Sequence, residues 1–118
     1  MQYTFAKTQR VRTKAEFSRV FEVGVKAARG PLVLRVCANE LGHSRLGLAV
    51  PRAVGTAVRR NRIKRLLREG FRLMQHDLPQ GLDMVVVVRP HVPLKLADYQ
   101  QMLGGLVAKA GKAGRDGK

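Results

Sequence analysis

The chain has 118 residues, 45% of them hydrophobic, enough for one core and too few for two comfortable domains. Its 23 lysines and arginines against 8 aspartates and glutamates give a formal charge of +15, a field that draws polyanions and says little about fold. A single cysteine, Cys37, excludes an internal disulfide and any thiolate zinc cluster built within the chain. No apolar run reaches the ~18 residues of a membrane span, and the opening Met-Gln-Tyr-Thr-Phe-Ala-Lys lacks the apolar core of a secretory signal, so a cytoplasmic protein with no membrane partner is expected.

Residues 1–12 are basic and without acid, and are expected to form an arm that orders on binding. Thr13-Lys14-Ala15-Glu16 fits a capping box, which serves the orphan backbone donors at a helix start. Phe17, Val20, Phe21 and Val25 recur at helical spacing, and Gly24 ends or frays the helix. After Gly30-Pro31, Leu32 to Ala38 reads as a strand with Leu32, Leu34 and Val36 on one face and Val33, Arg35 and Cys37 on the other. Asn39 to Ser44 then reads as a hairpin loop and Arg45 to Val50 as the returning strand, stopped by Pro51.

A long basic helix is expected from Thr56 or Ala57 to about Gln75. Ile63, Leu66, Leu67, Gly70, Phe71 and Met74 form its apolar stripe, and Asn61, Lys64, Arg65, Arg68 and Arg72 its wet side. Arg59 and Arg60 continue the apolar stripe, where an unpaired guanidinium cannot be buried. The helix must therefore overhang the sheet and send them outward. Leu78 to Gly81 breaks the chain, and the four valines from Val85 to Val88 read as a strand covered on both faces and central in its sheet. Leu96, Tyr99, Leu103, Leu106, Val107 and Ala110 give a last helix weakened by Gly104-Gly105, and residues 111–118 are expected to be a disordered tail. The fold class is thus an α+β or α/β sandwich, one small domain over residues 13–110 in the order α-β-β-α-β-α, with a right-handed strand–helix–strand unit on general grounds.

Seven like charges between Arg59 and Arg72, with Glu69 as the one acid, repel at i,i+3 and i,i+4 spacing. Such a segment costs stability unless a polyanion meets it, so nucleic acid is the expected partner. Phe17 and Phe21 fit either a core pair or a cleft on which bases stack. Arg35, between apolar neighbours, requires a wet or anionic facing surface. The acidic residues are scattered singly and His43, His76 and His91 lie far apart, expected at the surface. That pattern offers neither a metal nuclease nor a histidine acid–base pair, so no catalytic residue and no metal ligand is assigned.

Leu46-Gly-Leu-Ala-Val, followed by Val54-Gly-Thr-Ala-Val-Arg-Arg-Asn-Arg-Ile-Lys-Arg-Leu-Leu-Arg-Glu, closely resembles the bacterial ribonuclease P protein component. Arg60-Asn61-Arg62 matches that family's Arg-Asn-Arg motif, and Phe17-Ser18-Arg19-Val20-Phe21 its Phe-x-x-Val-Phe pattern. The resemblance implies a protein subunit, monomeric within a ribonucleoprotein, that helps remove the 5′ leader from precursor tRNA. The chemistry would be performed by a catalytic RNA subunit with bound Mg²⁺. It implies that Arg52, Arg59, Arg60, Asn61, Arg62, Lys64, Arg65 and Arg68 face the RNA subunit. It implies equally that Phe17, Phe21 and Arg35 line a leader cleft between the first helix and the sheet. It also implies a left-handed crossover in place of the general right-handed one. Three positions depart from the pattern: Arg52-Ala53 replaces a Lys-Lys pair, Thr56 replaces an asparagine, and Arg35 replaces an aromatic residue, favouring a phosphate contact there. The alternative reading is a general RNA-binding structural protein, such as a ribosomal protein or RNA chaperone.

Overall fold

The structure is a computed structural model that describes residues 10–117, with side chains described through residue 111. All but the last three residues of the basic N-terminal arm therefore lie outside the described residues. The elements follow as α1 (Lys14–Val23), β1 (Val25–Arg29), β2 (Leu32–Ala38), β3 (Arg45–Ala49), a 3-10 turn at Arg52–Val54, α2 (Ala57–Met74), β4 (Leu82–Val88) and α3 (Leu96–Gly117).

The four strands form one mixed sheet in the order β1-β2-β4-β3. β2 runs antiparallel to both β1 and β4, and β3 runs parallel to β4. Only the two middle strands need cover on both faces, and these are the valine-rich ones: every residue of β4 except Val87 is buried. The central position expected for this strand is thus met. β3, α2 and β4 form a strand–helix–strand unit whose two strands are adjacent and parallel.

Two sequence expectations fail here. β1 adds a strand, giving α-β-β-β-α-β-α, and it pairs with β2 through a two-residue turn of Gly30 and Pro31. Gly30 has φ 56, the backbone that a Gly-first hairpin turn requires. The expected hairpin between β2 and β3 does not exist, because β4 inserts between them. Asn39 and Ser44, at the ends of the 39–44 loop, bind the start of β4 instead. Asn39 donates its side-chain N–H to Asp83 at 2.9 Å, and the Leu82 N–H donates to the Ser44 hydroxyl at 3.1 Å.

Strand alternation divides the sheet into two faces. Leu32, Leu34, Val36, Leu82, Met84, Val86 and Val88 join Ile63, Leu67 and Phe71 of α2 and Tyr99, Leu103, Leu106 and Val107 of α3 in the main core. On the other face Val20 of α1 packs with Val11, Cys37 and Val85 in a smaller cluster. Burial raises the Cys37 thiol pKa above its ordinary value, so this lone cysteine behaves as a small hydrophobe. The molecule is therefore helix pair, sheet, single helix, with only one short helix to cover the second face.

Gly104 and Gly105 do not break α3. A Cβ on Gly105 would lie 2.4 Å from Nη1 of Arg29, and one on Gly104 would lie 3.3 Å from Cε of Met74, so the bare turn admits a β1 side chain and an α2 side chain. Nor does the helix stop at Gly111. That residue is buried against Leu82 and Pro79, and the helix continues to Gly117, so the expected disordered tail is corrected to helical backbone through residue 117.

Candidate nucleic-acid interface

The geometry of the site begins with how α1 is held. Thr13 accepts the N–H of Glu16 at 3.1 Å, while Glu16 Oε1 accepts the N–H groups of Arg12 and Thr13 at 2.8 and 2.9 Å, completing the capping box. Those backbone donors, assisted by Arg45, hold the Glu16 carboxyl down at about 2. Arg45 on β3 donates to both oxygens of buried Asp83 at 2.7 and 2.6 Å and to Glu16 at 2.7 Å. A bidentate fork of this kind fixes direction as well as distance. The first turn of α1 is thereby tied to two strands.

Once α1 is placed, Phe17 packs against the margin of the smaller cluster and Phe21 stays outside both clusters. Val20 is its one buried residue, Phe17 is half-buried and Phe21 is 38% exposed. The sheet row beneath them is set by register: Lys26, Arg35, Val85 and Gly47 sit side by side on four strands and one face. Toward one end of the row, next to Lys26, the Arg35 guanidinium lies 5.2 Å from the centroid of the Phe21 ring and donates to the Phe21 carbonyl at 3.1 Å. A half-buried cation over an exposed ring offers a base a stacking surface and a phosphate a charge. At the other end Phe17 covers Gly47, where an added Cβ would come within 2.8 Å of the ring and 2.9 Å of Val11. Phe17, Gly47 and Leu48 line a concavity of about 260 Å³ together with Arg10, Arg12 and Arg68. The structure thus gathers the three residues expected in a cleft onto one side of the sheet, with Phe21 paired to Arg35 and Phe17 one helical turn away.

The basic helix builds a second surface. Thr56 caps it by accepting the Arg59 N–H at 3.2 Å, after a Gly55 whose φ of 153 lets the chain enter the helix. Ile63, Leu67, Gly70 and Phe71 turn inward. Asn61, Lys64, Arg65, Arg68 and Arg72 turn outward and, with Arg10 and Glu69, line a concavity of about 450 Å³. Glu69 is bound there by Arg72 at 2.6 and 2.8 Å, and that partner lowers its carboxyl pKa.

The remaining site residues spread around the end of the helix. Arg59 is exposed as the overhang argument requires, whereas Arg60 is half-buried, its Nε donating to the Gly55 carbonyl at 3.2 Å. Arg62 is exposed on the side toward Tyr99, and Arg52 is exposed in the 3-10 turn. Consecutive residues of a helix diverge by ~100°, so Arg60, Asn61 and Arg62 cannot serve one flat contact. They present a wrapped surface.

Three features escaped the sequence. Arg10 and Val11 join the sheet edge, with Arg10 in a parallel bridge to Leu46 and the Val11 N–H donating to the Leu46 carbonyl at 3.0 Å. No periodicity in so short a segment signals this. His43 and His76, far apart in the chain, line one concavity with Ser44, Phe71, Gln75 and Gln80. His91 binds the Tyr99 hydroxyl at 2.8 Å, so it is more than a surface residue. Among the described residues no group of three or more His, Cys, Asp or Glu side chains is placed to hold a metal. Mg²⁺ prefers several hard oxygens, and Glu16, Glu69 and Asp83 are each engaged by arginine, so these side chains do not fit a Mg²⁺ site of the protein's own.

A wrapped arginine helix beside an arginine–phenylalanine groove, on a small mixed sheet, defines an RNA-binding α+β protein. The chain matches the Ribonuclease P family model over residues 5–111, and it belongs to that family. It is similar to the RNase P protein of Staphylococcus aureus, with 31% identity and a TM-score of 0.78 over 88% of this chain and 96% of that one. A mutant of the S. aureus protein with defective mRNA degradation activity superimposes with TM-score 0.81 at 30% identity, covering 89% and 90% of the two chains. The Thermotoga maritima RNase P protein matches at 30% identity and TM-score 0.78, over 85% and 96%. Membership makes the chain an RNA-binding subunit of ribonuclease P, a component of tRNA processing that works with an RNA subunit and is not itself the catalytic part. Among the described residues no helix is long and apolar enough to cross a membrane.

Proposed function

We propose that the chain joins one catalytic RNA subunit as a monomer in the cytoplasm and helps it remove the 5′ leader from precursor tRNA. The hydrolysis belongs to Mg²⁺ held by the RNA. The protein contributes binding and placement. Residues of α2 and its approach, Arg52, Arg59, Arg60, Asn61, Arg62, Lys64 and Arg65, face the RNA subunit, and Phe17, Phe21 and Arg35 receive the single-stranded leader. The observation that carries this division is the second face of the sheet: α1 covers it with one buried residue and leaves Phe21 open over Arg35. Aromatic stacking is worth ~1–3 kcal/mol per base and tolerates any sequence, which suits an enzyme that accepts many leaders.

The test is reconstitution. Purified protein freed of RNA should leave precursor tRNA intact, and with the cognate RNA subunit it should restore cleavage at Mg²⁺ concentrations where the RNA alone is slow. Protein charge and Mg²⁺ both offset RNA–RNA repulsion, so the gain should shrink as Mg²⁺ rises. Cleavage by the RNA-free protein, or a gain independent of Mg²⁺, would contradict this function.

A further inference from the structure

The two concavities are not separate. Arg10 and Arg68 line both, so the outer face of α2 opens at these two arginines into the groove of Phe17 and Gly47. Arg68 is half-buried and, among the described residues, forms no ion pair. The nearest acid lining the α2 side, Glu69, is taken by Arg72. Arg10 cannot swing clear at its backbone, because the bridge to Leu46 and the neighbouring Val11 hydrogen bond hold that segment to the sheet edge. Burial and the charge of Arg10 both lower the Arg68 pKa, the signature of a guanidinium placed against a like charge. Two arginines held together at a concave junction, one of them desolvated and without a counter-charge, are stabilised by an anion. A phosphate diester supplies both the charge and the acceptor oxygens that a guanidinium fork binds.

We propose that Arg68, with Arg10 beside it, holds one phosphate of the leader strand where that strand passes from the Phe17 groove toward α2. Arg68 is then a positioning residue that sets how far the leader is drawn along the protein, and it leaves the set of residues facing the RNA subunit. The proposal rests on the leader reading of the Phe17 and Phe21 side. It commits to the leader because Arg68 lines the groove that contains Phe17, whereas Asn61, Lys64 and Arg65 line the α2 side alone.

The experiment measures binding of assembled holoenzyme to mature tRNA and to precursor tRNAs carrying a single uncharged methylphosphonate, moved one position at a time along the leader. Arg68→Ala should weaken unmodified precursor by about tenfold, the size of one charge-assisted hydrogen bond, and leave mature tRNA unchanged. One methylphosphonate position should cost the wild type a similar factor and cost Arg68→Ala nothing further. Arg68→Lys should recover part of the affinity. Circular dichroism and melting establish that the variants are folded. Equal losses for precursor and mature tRNA would overturn the proposal, as would additive losses at every leader position. So would a defect confined to assembly with the RNA subunit, which would give the phosphate to that RNA. Phe21→Ala separates the two readings. If it loses preference for precursor and Arg68→Ala does not, only the phosphate site fails; if Phe21→Ala keeps that preference, the leader groove itself fails.

Discussion

Arg45 illustrates how a single side chain decides where the functional surface lies. Its fork closes on Asp83, which is 1% exposed, and its third nitrogen, Nη1, donates to Glu16 at the start of α1. Removing one partner of a buried pair strands the other, at a cost of ~3–5 kcal/mol. Asn39 still donates to Asp83, so Arg45→Gln should fall at the low end, about 3 kcal/mol, read as a lowered urea midpoint with an unchanged slope. Glu16 adds a pH dependence of known sign. Its carboxyl is lowered from 4.5 to about 2 in the folded protein, so between those values the unfolded chain binds more protons and stability rises with pH. The contribution is complete above about pH 4.5 and is lost as pH falls through about 2. The stability gap between wild type and Glu16→Gln should therefore hold constant from pH 7 to 5 and narrow on acidification toward pH 2. A gap that widened on acidification would contradict the assignment.

At the scale of elements, α2 carries the interface and α3 carries a correction. Binding to the RNA subunit should fall steeply with salt, by ~0.7–0.9 per phosphate neutralised on a log–log plot. Arg65 is exposed on the outer face of α2, so Arg65→Ala should flatten that slope by about one contact with the fold intact. An unchanged slope would place Arg65 outside the interface. In α3, Gly104 meets only the flexible end of Met74. Gly104→Ala should thus gain most of the ~1 kcal/mol of helix propensity separating the two residues and raise the melting temperature. The partner glycine is different in kind, since a methyl there displaces the Arg29 guanidinium. Sequence reading saw the cost of two glycines and could not see the side chains they admit.

For the whole molecule, what was legible follows from what leaves a periodic trace. The stripe of α2, the capping box of α1 and the valine run of β4, buried except at Val87, each have a local signature, and the structure places all three as expected. β1 has none: Val-Lys-Ala-Ala-Arg is an edge strand with one buried residue, Ala27, held by the Gly30-Pro31 turn and its pairing to β2. The false β2–β3 hairpin has the opposite cause. Two strands separated by a short polar loop satisfy the local rule, and only the later demand of β4 for neighbours on both sides separates them. The site was legible as residue types and not as a surface. Arg35 and Phe21 are fourteen residues apart and meet through a cation–aromatic contact, and Arg10 reaches Arg68 only because the N-terminal segment joins the edge of β3.

The central claim is that two faces of one small sheet serve two different RNAs, and the affinities of precursor and mature tRNA for assembled holoenzyme test it most directly. Phe21→Ala should weaken precursor tRNA by about tenfold, within the ~1–3 kcal/mol of one stacked base, and leave mature tRNA nearly untouched. Arg62→Ala combined with Arg65→Ala, both at exposed positions, should instead raise the protein concentration needed to assemble with the RNA subunit, with the precursor preference of the assembled enzyme retained. Equal losses for precursor and mature tRNA in Phe21→Ala, with melting showing an intact fold, would contradict the account.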